Sequence, residues 1–485
     1  MEEAVAGLDV GTSSIKLVLY GKNGVIYSER IDHSEGRSNG KEIDPEQLIK
    51  DIIRLIRKSR DKNKNIKIKA IGLSSLFPSF IALDEKGKPL TKIITWMDSR
   101  GDELVIKYKK RKKEAVKLQE KTGCIVHESY TLWKILWLKE NKKEIFSRTG
   151  KFLSLPDYLA YKLTGKFAIS YALASTTSLF NINSLEWDKE ILKMAGISER
   201  QLSECNSIYH SEKLLKEIRL EMGLDEDAVL VLGAGDGHLS NIGSGCLTDK
   251  TICSTIGTSS ALRIVGGSQR YNKSVWRYYL YDEKYINGIA INAGSSTLAW
   301  FYRNVFHKES KNLFNDIDKT DLDWSTDIVF LPFLDGERGP NYNQKMSASL
   351  FGLNSRSTGS EIYRAIIEGM LFNLYDCYRI LVDGNKGLIE MVATGGYINS
   401  EKILQMQSDI FNIKIKVPSV KEASAVGAAI VSLVAIGEKR FLSEIETKYE
   451  KVYMPDPEKH RKYMKKYRKY KELYDIISKI NMEKK

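Results

Sequence analysis

The strongest constraint in this sequence is an internal repeat. The string Val10-Gly11-Thr12-Ser13-Ser14 recurs about half a chain length later as Ile256-Gly257-Thr258-Ser259-Ser260, and strand-like apolar residues flank both copies. An ordinary hairpin tip needs only Gly, Asn or Asp, so a matched trio of hydroxyl residues exceeds what turn chemistry requires. The repeat therefore predicts a duplicated domain, in a chain whose 485 residues are too many for one core.

The elements around the first copy predict the class of the sheet. Residues 4–20 are expected to form a strand, a tight turn and a strand, Asn23-Gly24 supplies a second hairpin turn, and Asp44-Pro45 begins an amphipathic helix. A buried strand follows at residues 68–75. An antiparallel meander followed by alternating helices and strands predicts a mixed α/β sheet.

The net charge of +13, from 75 Lys and Arg against 62 Asp and Glu, raises the question of a nucleic-acid partner. Residues 107–121 and 458–485 carry this surplus, and the rest of the chain is close to neutral. In the second segment four tyrosines from Tyr463 to Tyr474 recur at helical spacing, which predicts a helix that buries an aromatic stripe and turns its lysines to water. A nucleic-acid helix would present aromatics and charges on one face, so we expect no nucleic-acid partner.

Three features predict a cytoplasmic protein without a membrane partner. The most apolar stretch, residues 425–437, is too short and too rich in small residues to span a bilayer. The N-terminal residues lack the pattern of a signal peptide. Five scattered cysteines form no C-x-x-C pair, which is typical of a reducing compartment.

The two GTSS hairpins (residues 11–14 and 257–260) are suited to phosphate. Glycine lets the backbone turn sharply and approach a ligand, successive N–H groups form an anion-binding nest, and the hydroxyls add donors. Two such hairpins could clamp a polyphosphate, and Asp9, just before the first hairpin, could hold the accompanying Mg²⁺. The sequence contains no G-x-x-x-x-G-K-[ST], G-x-G-x-x-G or H-R-D motif, which argues against P-loop enzymes and protein kinases.

A carboxylate in a glycine frame is the second candidate. Asp236 lies within Gly233-Ala234-Gly235-Asp236-Gly237, directly after an apolar strand. Taken alone, this string is an ordinary Asp-Gly turn. In a chain with two phosphate-suited hairpins, Asp236 can accept the proton of a hydroxyl that attacks phosphorus, which makes it the predicted catalytic base.

A strand, a Gly-Gly turn and a helix form the third candidate, at residues 393–411. The turn Gly395-Gly396 has no side chains that would prevent a purine or a ribose from lying against it. The segment is not specific on its own.

Taken in this order, the two hairpins, GAGDG and TGGYINSEKILQMQSDI resemble the FGGY carbohydrate kinases over residues 7–437. The resemblance implies the actin/Hsp70/sugar-kinase fold, an α/β fold in which two ribonuclease-H-like domains surround an ATP cleft. It implies ATP and Mg²⁺ as cofactors. We expect an N-terminal kinase domain with the sugar site at 1–245, a C-terminal kinase domain with the nucleotide site at 246–440, and a helical extension at 441–485.

The resemblance also implies roles for single residues. Asp236 matches the family's catalytic base, and Asp9 and Asp236 are the implied Mg²⁺-associated carboxylates. The implied contacts to phosphate and nucleotide are Gly11, Thr12, Ser13 and Ser14 in the first loop, Gly257, Thr258 and Ser259 in the second, Gly294 and Ser295 further on, and Gly396 and Ser400 beside the adenine.

Within the family, the segments at 122–127, 257–263 and 288–292 are most similar to gluconokinases, which implies conversion of D-gluconate to 6-phosphogluconate. Phe77 and Pro78 occupy the position that faces the sugar, where many relatives carry Met-His. An acidic sugar needs a cation, and His127 is preferred for that contact over Arg100 and Arg338. Ser295 also departs from the pattern, because gluconokinases usually have a second glycine there.

Two alternatives stay open. One is a xylulokinase-type kinase of a ketopentose or another polyol. The other is a non-catalytic, ATP-switched binding module of the same fold, since fold does not fix function; the intact frame around Asp236 and the two complete hairpins argue against it. The expected partner is a small-molecule sugar or sugar acid, and a homodimer is compatible with the sequence.

Overall fold

The computed structural model describes residues 2–32, 40–267, 272–307, 313–319, 326–383, 385 and 387–483. The chain divides into two compact units. Unit 1 comprises Met1–Gly245, Gly267–Ile286 and Glu422–Glu446, and unit 2 comprises Cys246–Gly266, Asn287–Lys421 and Thr447–Lys485. The sequence predicts contiguous domains with limits at 245 and 440, and these limits stay a prediction. The two compact units are drawn differently, because each of them is assembled from three separate stretches of chain.

The strands and helices of the described ranges are as follows. The strands are β1 Glu2–Val10, β2 Ser14–Gly21, β3 Gly24–Asp32, β4 Glu42–Ile43, β5 Ile66–Ser75, β6 Ser79–Leu83, β7 Ile93–Thr95, β8 Lys151–Leu153, β9 Ala168–Ser170, β10 Phe180–Asn181, β11 Glu186–Trp187, β12 Glu204–Asn206, β13 Ser211–Lys213, β14 Val229–Gly235, β15 Thr251–Ile256, β16 Ser260–Gly266, β17 Trp276–Tyr281, β18 Lys284–Ile291, β19 Val329–Leu331, β20 Ser349–Phe351, β21 Glu390–Thr394, β22 Ile415–Pro418 and β23 Tyr449–Tyr453. The α-helices are α1 Pro45–Lys62, α2 Asp102–Lys109, α3 Lys112–Thr122, α4 Thr131–Asn141, α5 Lys143–Arg148, α6 Leu155–Thr164, α7 Tyr171–Ala174, α8 Lys189–Ala195, α9 Lys216–Met222, α10 Asp236–Gly243, α11 Ser295–Asn304, α12 Leu313–Lys319, α13 Gly359–Leu381, α14 Glu401–Phe411, α15 Ala423–Ala435 and α16 Pro457–Glu483. Short 3₁₀ helices lie at Glu199–Gln201, Gly396–Asn399 and Leu442–Glu444.

The main sheet of unit 1 has the order β13-β14-β5-β1-β2-β3. Strand β1 is antiparallel to β2 and parallel to β5, and β14 is parallel to β5. Buried apolar side chains join this sheet to the helices in one cluster that includes Leu8, Leu17, Ile52, Ile71 and Leu159. The predicted meander, helix and buried strand are confirmed as β1 to β3, α1 and β5.

Unit 2 repeats this pairing scheme. Its sheet contains the order β18-β16-β15-β21-β22-β23, in which β15 is antiparallel to β16 and parallel to β21. Strand β21 is in turn parallel to β22. The two α/β units therefore have the duplicated, mixed-sheet architecture that the GTSS repeat predicts.

Helix α1 begins where its sequence signals indicate. The side chain of Asp44 accepts hydrogen bonds from the backbone N–H groups of Glu46 and Gln47 at 3.0 and 2.9 Å, and Pro45 occupies the first turn. An N-cap carboxylate satisfies N–H groups that have no partner within the helix. Local sequence alone is enough to place this helix end.

Helix α15 belongs to unit 1 and packs on strands β1 and β5 and on helix α10 of that unit. At these contacts almost no side chain separates the backbone of α15 from that of its neighbours. A Cβ atom on Gly7 of β1 would lie 1.8 Å from the carbonyl oxygen of Ala425, and one on Gly427 of α15 would lie 2.0 Å from that of Leu239 in α10. Gly72 in β5 and Gly243 in α10 meet α15 in the same way. Only glycine allows backbones to approach so closely.

We expect Gly427→Ala to destabilise the protein by about 1–3 kcal/mol, because the added methyl group must displace α10 from α15. The urea midpoint, followed by circular dichroism, measures the change. Gly267→Ala is the matched control, since a Cβ there meets no atom within 4 Å. Equal midpoints for the two variants would contradict the close packing described for α15.

Helix α16 docks on unit 2 through the predicted aromatic stripe. Tyr463, Tyr467, Tyr470 and Tyr474 are all buried, which confirms the periodicity. The expectation that the lysines of this helix face water is wrong for two of them. Lys466 pairs with buried Glu368 at 2.5 Å and Lys471 with buried Asp376 at 3.1 Å, so part of the surplus charge holds the helix in place.

Glu337 is a buried carboxyl group at the same docking surface. It accepts hydrogen bonds from the Tyr474 hydroxyl at 2.6 Å and from the Asn341 amide at 2.9 Å. Burial raises the pKa of Glu337 to about 7, although these two hydrogen bonds oppose the rise. Between its ordinary value of 4.5 and about 7, the folded protein holds a proton that the unfolded chain has released.

The stability of the wild type should therefore contain a contribution from Glu337 that is present below about pH 4.5 and is lost as the pH rises to about 7. Glu337→Gln cannot titrate, so its stability relative to the wild type should increase across this window. Urea unfolding at pH values on both sides of the window measures it. The exposed carboxylate Glu472 on α16 provides the control, Glu472→Gln; a Glu337→Gln difference that does not vary with pH would contradict the prediction.

Candidate active site

Three segments singled out in the sequence leave the sheet of unit 1 at one edge. Strands β1, β5 and β14 are parallel neighbours, and their register aligns Val10 with Ser75 and Ser75 with Gly235. The first GTSS hairpin, Phe77 and Asp236 follow the carboxyl ends of these three strands. Ligands of open α/β sheets bind outside the carboxyl ends of the strands, so this topology gathers the candidate residues where a ligand is expected.

The first GTSS hairpin is a tight turn with an exposed tip. The backbone N–H of Gly11 donates to the carbonyl oxygen of Ser14 at 2.9 Å, and Ser14 is already buried in β2. At the tip, the Thr12 hydroxyl accepts a hydrogen bond from the indole nitrogen of Trp96 at 3.4 Å, while Ser13 is exposed. The turn therefore leaves Thr12 and Ser13 accessible, with the Thr12 hydroxyl oriented by a tryptophan.

Asp9 is a buried carboxylate near the end of β1. Its Oδ1 accepts the Ser74 hydroxyl at 2.6 Å, and the strand register places Lys16 opposite it. Burial raises the pKa of Asp9, and the charge of Lys16 together with the Ser74 hydrogen bond acts in the opposite direction. Lys16 also pairs with Glu422 at 2.7 Å. Asp9 is thus a hard oxygen donor held in one place at the edge of the sheet.

Asp236 is the first residue of α10 and is half-buried. Its Oδ1 accepts the N–H of Gly237 at 2.6 Å, and its backbone carbonyl oxygen accepts the Ser424 hydroxyl at 3.1 Å. A helix N-terminus stabilises a carboxylate. Gly233 in the frame has a φ of 58°, and a Cβ there would lie 1.9 Å from the carbonyl oxygen of Leu73, so the frame needs glycine for backbone reasons.

Four rings that contact one another form what we call the aromatic wall: Phe77, Tyr130, His238 and Tyr278. The Phe77 ring lies 5.0 Å from that of His238 and 5.9 Å from that of Tyr278, centroid to centroid. The hydroxyls of Tyr130 and Tyr278 are 2.6 Å apart. Phe77 is half-buried while the other three are buried. A Cβ on Gly235 would lie 2.1 Å from Phe77, so the wall packs directly on the residue before Asp236.

His127, the predicted cationic contact, is engaged with its own loop. Its Nε2 lies 3.3 Å from a carboxylate oxygen of Glu128, and its Nδ1 lies 3.0 Å from the Ser129 hydroxyl. Both ring nitrogens therefore have a partner next to them in the chain.

Arg100, the other candidate cation of unit 1, is also paired with carboxylates. It donates to Asp98 at 2.6 Å and to Glu42 at 2.8 Å. Its guanidinium group also lies 4.9 Å from the centre of the Trp137 ring. These contacts indicate that Arg100 holds the loop before α2 in place.

In unit 2, the second GTSS hairpin follows β15 and closes differently from the first. The N–H of Gly257 donates to the carbonyl oxygen of Ser259 at 3.0 Å, and Ile256 pairs directly with Ser260. In the first hairpin Val10 pairs with Ile15, so the turn between the two strands is one residue longer. The same string of residues therefore forms two turns of different size.

Gly294 and Ser295 lie against the second hairpin. The N–H of Ser295 donates to the carbonyl oxygen of Gly257 at 2.7 Å, at the start of α11. A Cβ on Gly294 would lie 2.6 Å from the carbonyl oxygens of both Gly257 and Thr258. The predicted nucleotide residues 257–259 and 294–295 are thus one packed group in unit 2.

The third predicted segment follows β21, the parallel neighbour of β15. Gly395 has a φ of 93°, and Gly396 begins a short 3₁₀ helix. Ser400 is fully buried: its hydroxyl donates to Asp318 at 2.6 Å and caps α14 by accepting the N–H of Ile403 at 3.3 Å. The structure thus gives the Ser400 side chain a role in fixing the turn.

Sequence reasoning missed two rings of the aromatic wall, Tyr130 and Tyr278. They are far apart in the chain, and Tyr278 belongs to a stretch that returns to unit 1 from between two stretches of unit 2. No local motif marks such a return. Trp96 has a local signal, because it begins the string Trp96-Met97-Asp98-Ser99-Arg100 directly after strand β7.

Comparison with known proteins identifies the family of this chain. Residues 4–243 match the model of the N-terminal domain of the FGGY family of carbohydrate kinases, and residues 253–436 match that of its C-terminal domain. The chain belongs to the FGGY family of carbohydrate kinases.

Similar proteins include kinases for two different sugars. A gluconokinase of Bacillus subtilis (strain 168) is 33% identical over 90% of this chain and 88% of its own length. The crystal structure of a gluconate kinase from Lactobacillus acidophilus superposes with a TM-score of 0.91 at 30% identity and covers 99% of both chains. A ligand-bound xylulose kinase from the same organism also gives 0.91 at 30% identity, over 98% of both chains.

Among the residues that the structure describes, no helix combines the length and the apolar character needed to cross a membrane.

We expect Gly294→Ala to displace the second GTSS hairpin, because the new methyl group would collide with two of its carbonyl oxygens. The KM for ATP should rise roughly tenfold or more, as for other small misplacements of binding groups, while the KM for the sugar changes little. Steady-state kinetics with each substrate varied in turn measures both. Gly267→Ala serves again as the control, and an unchanged KM for ATP would remove the second hairpin from the nucleotide site.

Proposed function

We propose that this carbohydrate kinase uses ATP to phosphorylate the terminal hydroxyl of a sugar acid, D-gluconate, giving 6-phosphogluconate. The observation that carries the proposal is the position of Asp236 at one sheet edge with the first GTSS hairpin and the aromatic wall. The similar gluconokinase and gluconate kinase support the choice of acceptor.

In the proposed reaction, Asp236 is the general base. Its carboxylate accepts the proton of the sugar hydroxyl as that oxygen attacks the γ-phosphorus in line, the bond to the bridging oxygen breaks, and ADP leaves. Its place at the N-terminus of α10 and the hydrogen bond from Gly237 hold the carboxylate in position. Phe77, the half-buried ring of the aromatic wall, would pack against the carbon chain of the sugar, and the three buried rings support it from behind.

The backbone N–H and hydroxyl groups of the two GTSS hairpins would stabilise the charge on the transferred phosphoryl group. Fixed donors of this kind need no reorganisation as the charge develops. The exposed tip of the first hairpin, with Thr12 oriented by Trp96, fits this role. In unit 2, Gly294, Ser295 and Gly396 would contact the nucleotide, and Ser400 would act by fixing the turn that follows β21.

Asp9 and Asp236 fit a magnesium site. Mg²⁺ is commonly held by one or two carboxylates together with substrate phosphates and water. Asp9 near the end of β1 and Asp236 after β14 belong to the two parallel strands that flank β5, and both lie toward the carboxyl ends of those strands. When bound, the ion would neutralise charge on the phosphates. Lys16 and Ser74 keep the Asp9 carboxylate in place for it.

A second acceptor, a neutral ketopentose such as xylulose, is favoured by one observation. Two of the side chains that the sequence offers as partners of a sugar carboxylate, His127 and Arg100, already lie against Glu128 and Asp98. A pocket with engaged cations suits an uncharged sugar, and the xylulose kinase of similar structure supports this reading.

We expect Asp236→Asn to lower kcat by about 10²- to 10⁴-fold, the usual contribution of a general base, with little change in ATP affinity. A coupled ADP assay gives kcat, and calorimetric titration gives nucleotide affinity. Asp225→Asn changes an exposed carboxylate of the same unit and should leave both unchanged. Near-normal turnover by Asp236→Asn would show that another group is the base.

The acceptor is identified by the same assay with gluconate, xylulose, ribulose, fuculose and glycerol. We expect kcat/KM to be highest for gluconate. A preference for xylulose would instead establish the neutral-sugar alternative, and ATP binding without turnover of any sugar would favour the non-catalytic module.

A further inference from the structure

Lys134 is a lysine in a place where lysines are rare. Its side chain is 1% exposed, within the first turns of α4. Lysine is almost never fully buried without partners, and the N-terminal part of a helix repels a cation. Its Nζ donates to the backbone carbonyl oxygens of Glu128 at 3.1 Å and Ser129 at 2.6 Å. Both the burial of the amine and its position near the N-terminus of a helix are therefore unfavourable for the charged form of Lys134.

Four charged groups act on this amine. The carboxylates of Asp98, Glu128 and Asp102 favour its charged form, and Arg100 opposes it. Burial is nevertheless the largest effect and lowers the pKa of Lys134 to about 7. These groups come from the loop before α2, from α2 itself and from the loop before α4, so the amine connects three elements of unit 1. Lys109 of α2 acts on the same Glu128 and Asp102.

The two carbonyl groups that Lys134 holds directly precede a ring of the aromatic wall. The N–H of Tyr130 donates to the carbonyl oxygen of His127 at 3.3 Å, and the N–H of Ser129 donates to the His127 ring at 3.3 Å. The Tyr130 hydroxyl then meets that of Tyr278 at 2.6 Å. A continuous series of contacts therefore runs from the amine to the wall.

Stability alone does not explain this lysine. Buried ionic groups can often be replaced by apolar residues of similar size with no loss of stability. The Asp98 side of the network also continues toward the phosphate-suited hairpin, because Trp96, two residues earlier, donates to Thr12. The network is thus connected both to the aromatic wall and to the first GTSS hairpin.

We propose that Lys134 is a positioning residue for the acceptor sugar, which holds the backbone of Glu128 and Ser129 and thereby places Tyr130 against Tyr278 in the aromatic wall that packs on the residue before Asp236. The inference rests on the proposed function, since it assumes that the aromatic wall contacts the sugar. It adds a residue that does not itself touch the substrate but sets the shape of its site.

Lys134→Met tests the proposal, because it keeps the length of the side chain and removes the donor. We expect the KM for the accepted sugar to rise about tenfold, as for loss of one charged hydrogen bond, with the KM for ATP within about twofold. Lys139→Met on the same helix is the matched control. Equal changes in the two KM values, or none, would overturn the proposal.

The pH profile separates positioning from a merely structural role. In the wild type and in Lys139→Met, the KM for the sugar should rise as the pH increases through about 7, because the amine loses a proton and its attraction to Asp98 and Glu128. Lys134→Met should lack this rise. A rise that persists in Lys134→Met would show that a different group titrates, and would overturn the inference.

A double-mutant cycle with Tyr130→Phe tests the route. Tyr130→Phe removes only the hydroxyl that meets Tyr278, so it should raise the sugar KM by itself. If Lys134 acts through Tyr130, the sugar KM of the double variant should be close to that of the more severely affected single variant, since the two effects are coupled. Fully multiplicative effects would overturn this route. If Lys134→Met fails to fold, Lys134→Gln, which keeps an amide donor, is measured in the same way.

The outcome also separates this inference from the proposed function. A wild type that turns over no sugar of the panel refutes the proposed function. A wild type that turns over one of them, with an unchanged sugar KM in Lys134→Met, refutes the role of Lys134 alone.

Discussion

The direct packing of helix α15 on strands β1 and β5 is the contact on which unit 1 depends. The residues that form α15 come late in the chain, yet their backbone touches the first strand because Gly7 and Gly427 have no side chain to keep the two apart. This contact also serves the site. Ser424 at the start of the helix bonds to the backbone of Asp236, and Glu422 just before it pairs with Lys16, which faces Asp9. One close approach therefore fixes the surroundings of both candidate carboxylates.

Buried charge is the second theme of the structure, and each unit uses it differently. In unit 1, Asp9 of β1 and Lys134 of α4 each have opposite charges and hydrogen bonds that offset the cost of burial. In unit 2, Glu368 and Asp376 receive lysines of α16 and dock that helix. Part of the surplus positive charge in the C-terminal segment thus forms ion pairs that attach α16 to the rest of unit 2.

Much of the fold could be predicted from local patterns. The GTSS repeat indicated the duplication, the Asp44-Pro45 pair placed the start of α1, and the tyrosine spacing identified the buried face of α16. These predictions succeed because capping and periodicity depend on residues close together in the chain. The glycine frame of Asp236 likewise gave a candidate base, and the structure brings it to the same edge as the first hairpin.

The aromatic wall could not be predicted, because Tyr130 and Tyr278 meet only after two distant stretches of chain have joined the same unit.

The sequence by itself determined the family, the duplicated α/β architecture and the residue types available for phosphate and for proton transfer. Only the tertiary structure decided how those residues are used. The two GTSS strings form turns of different size and have different neighbours: Trp96 bonds to the first, whereas Ser295 bonds to the backbone of the second. Arg100 is a candidate cation in the sequence, but folding places it against Glu42, 58 residues away in the chain. Hydrogen bonds and charge pairs between residues far apart in the chain settle these matters, and such pairs leave no local pattern to read.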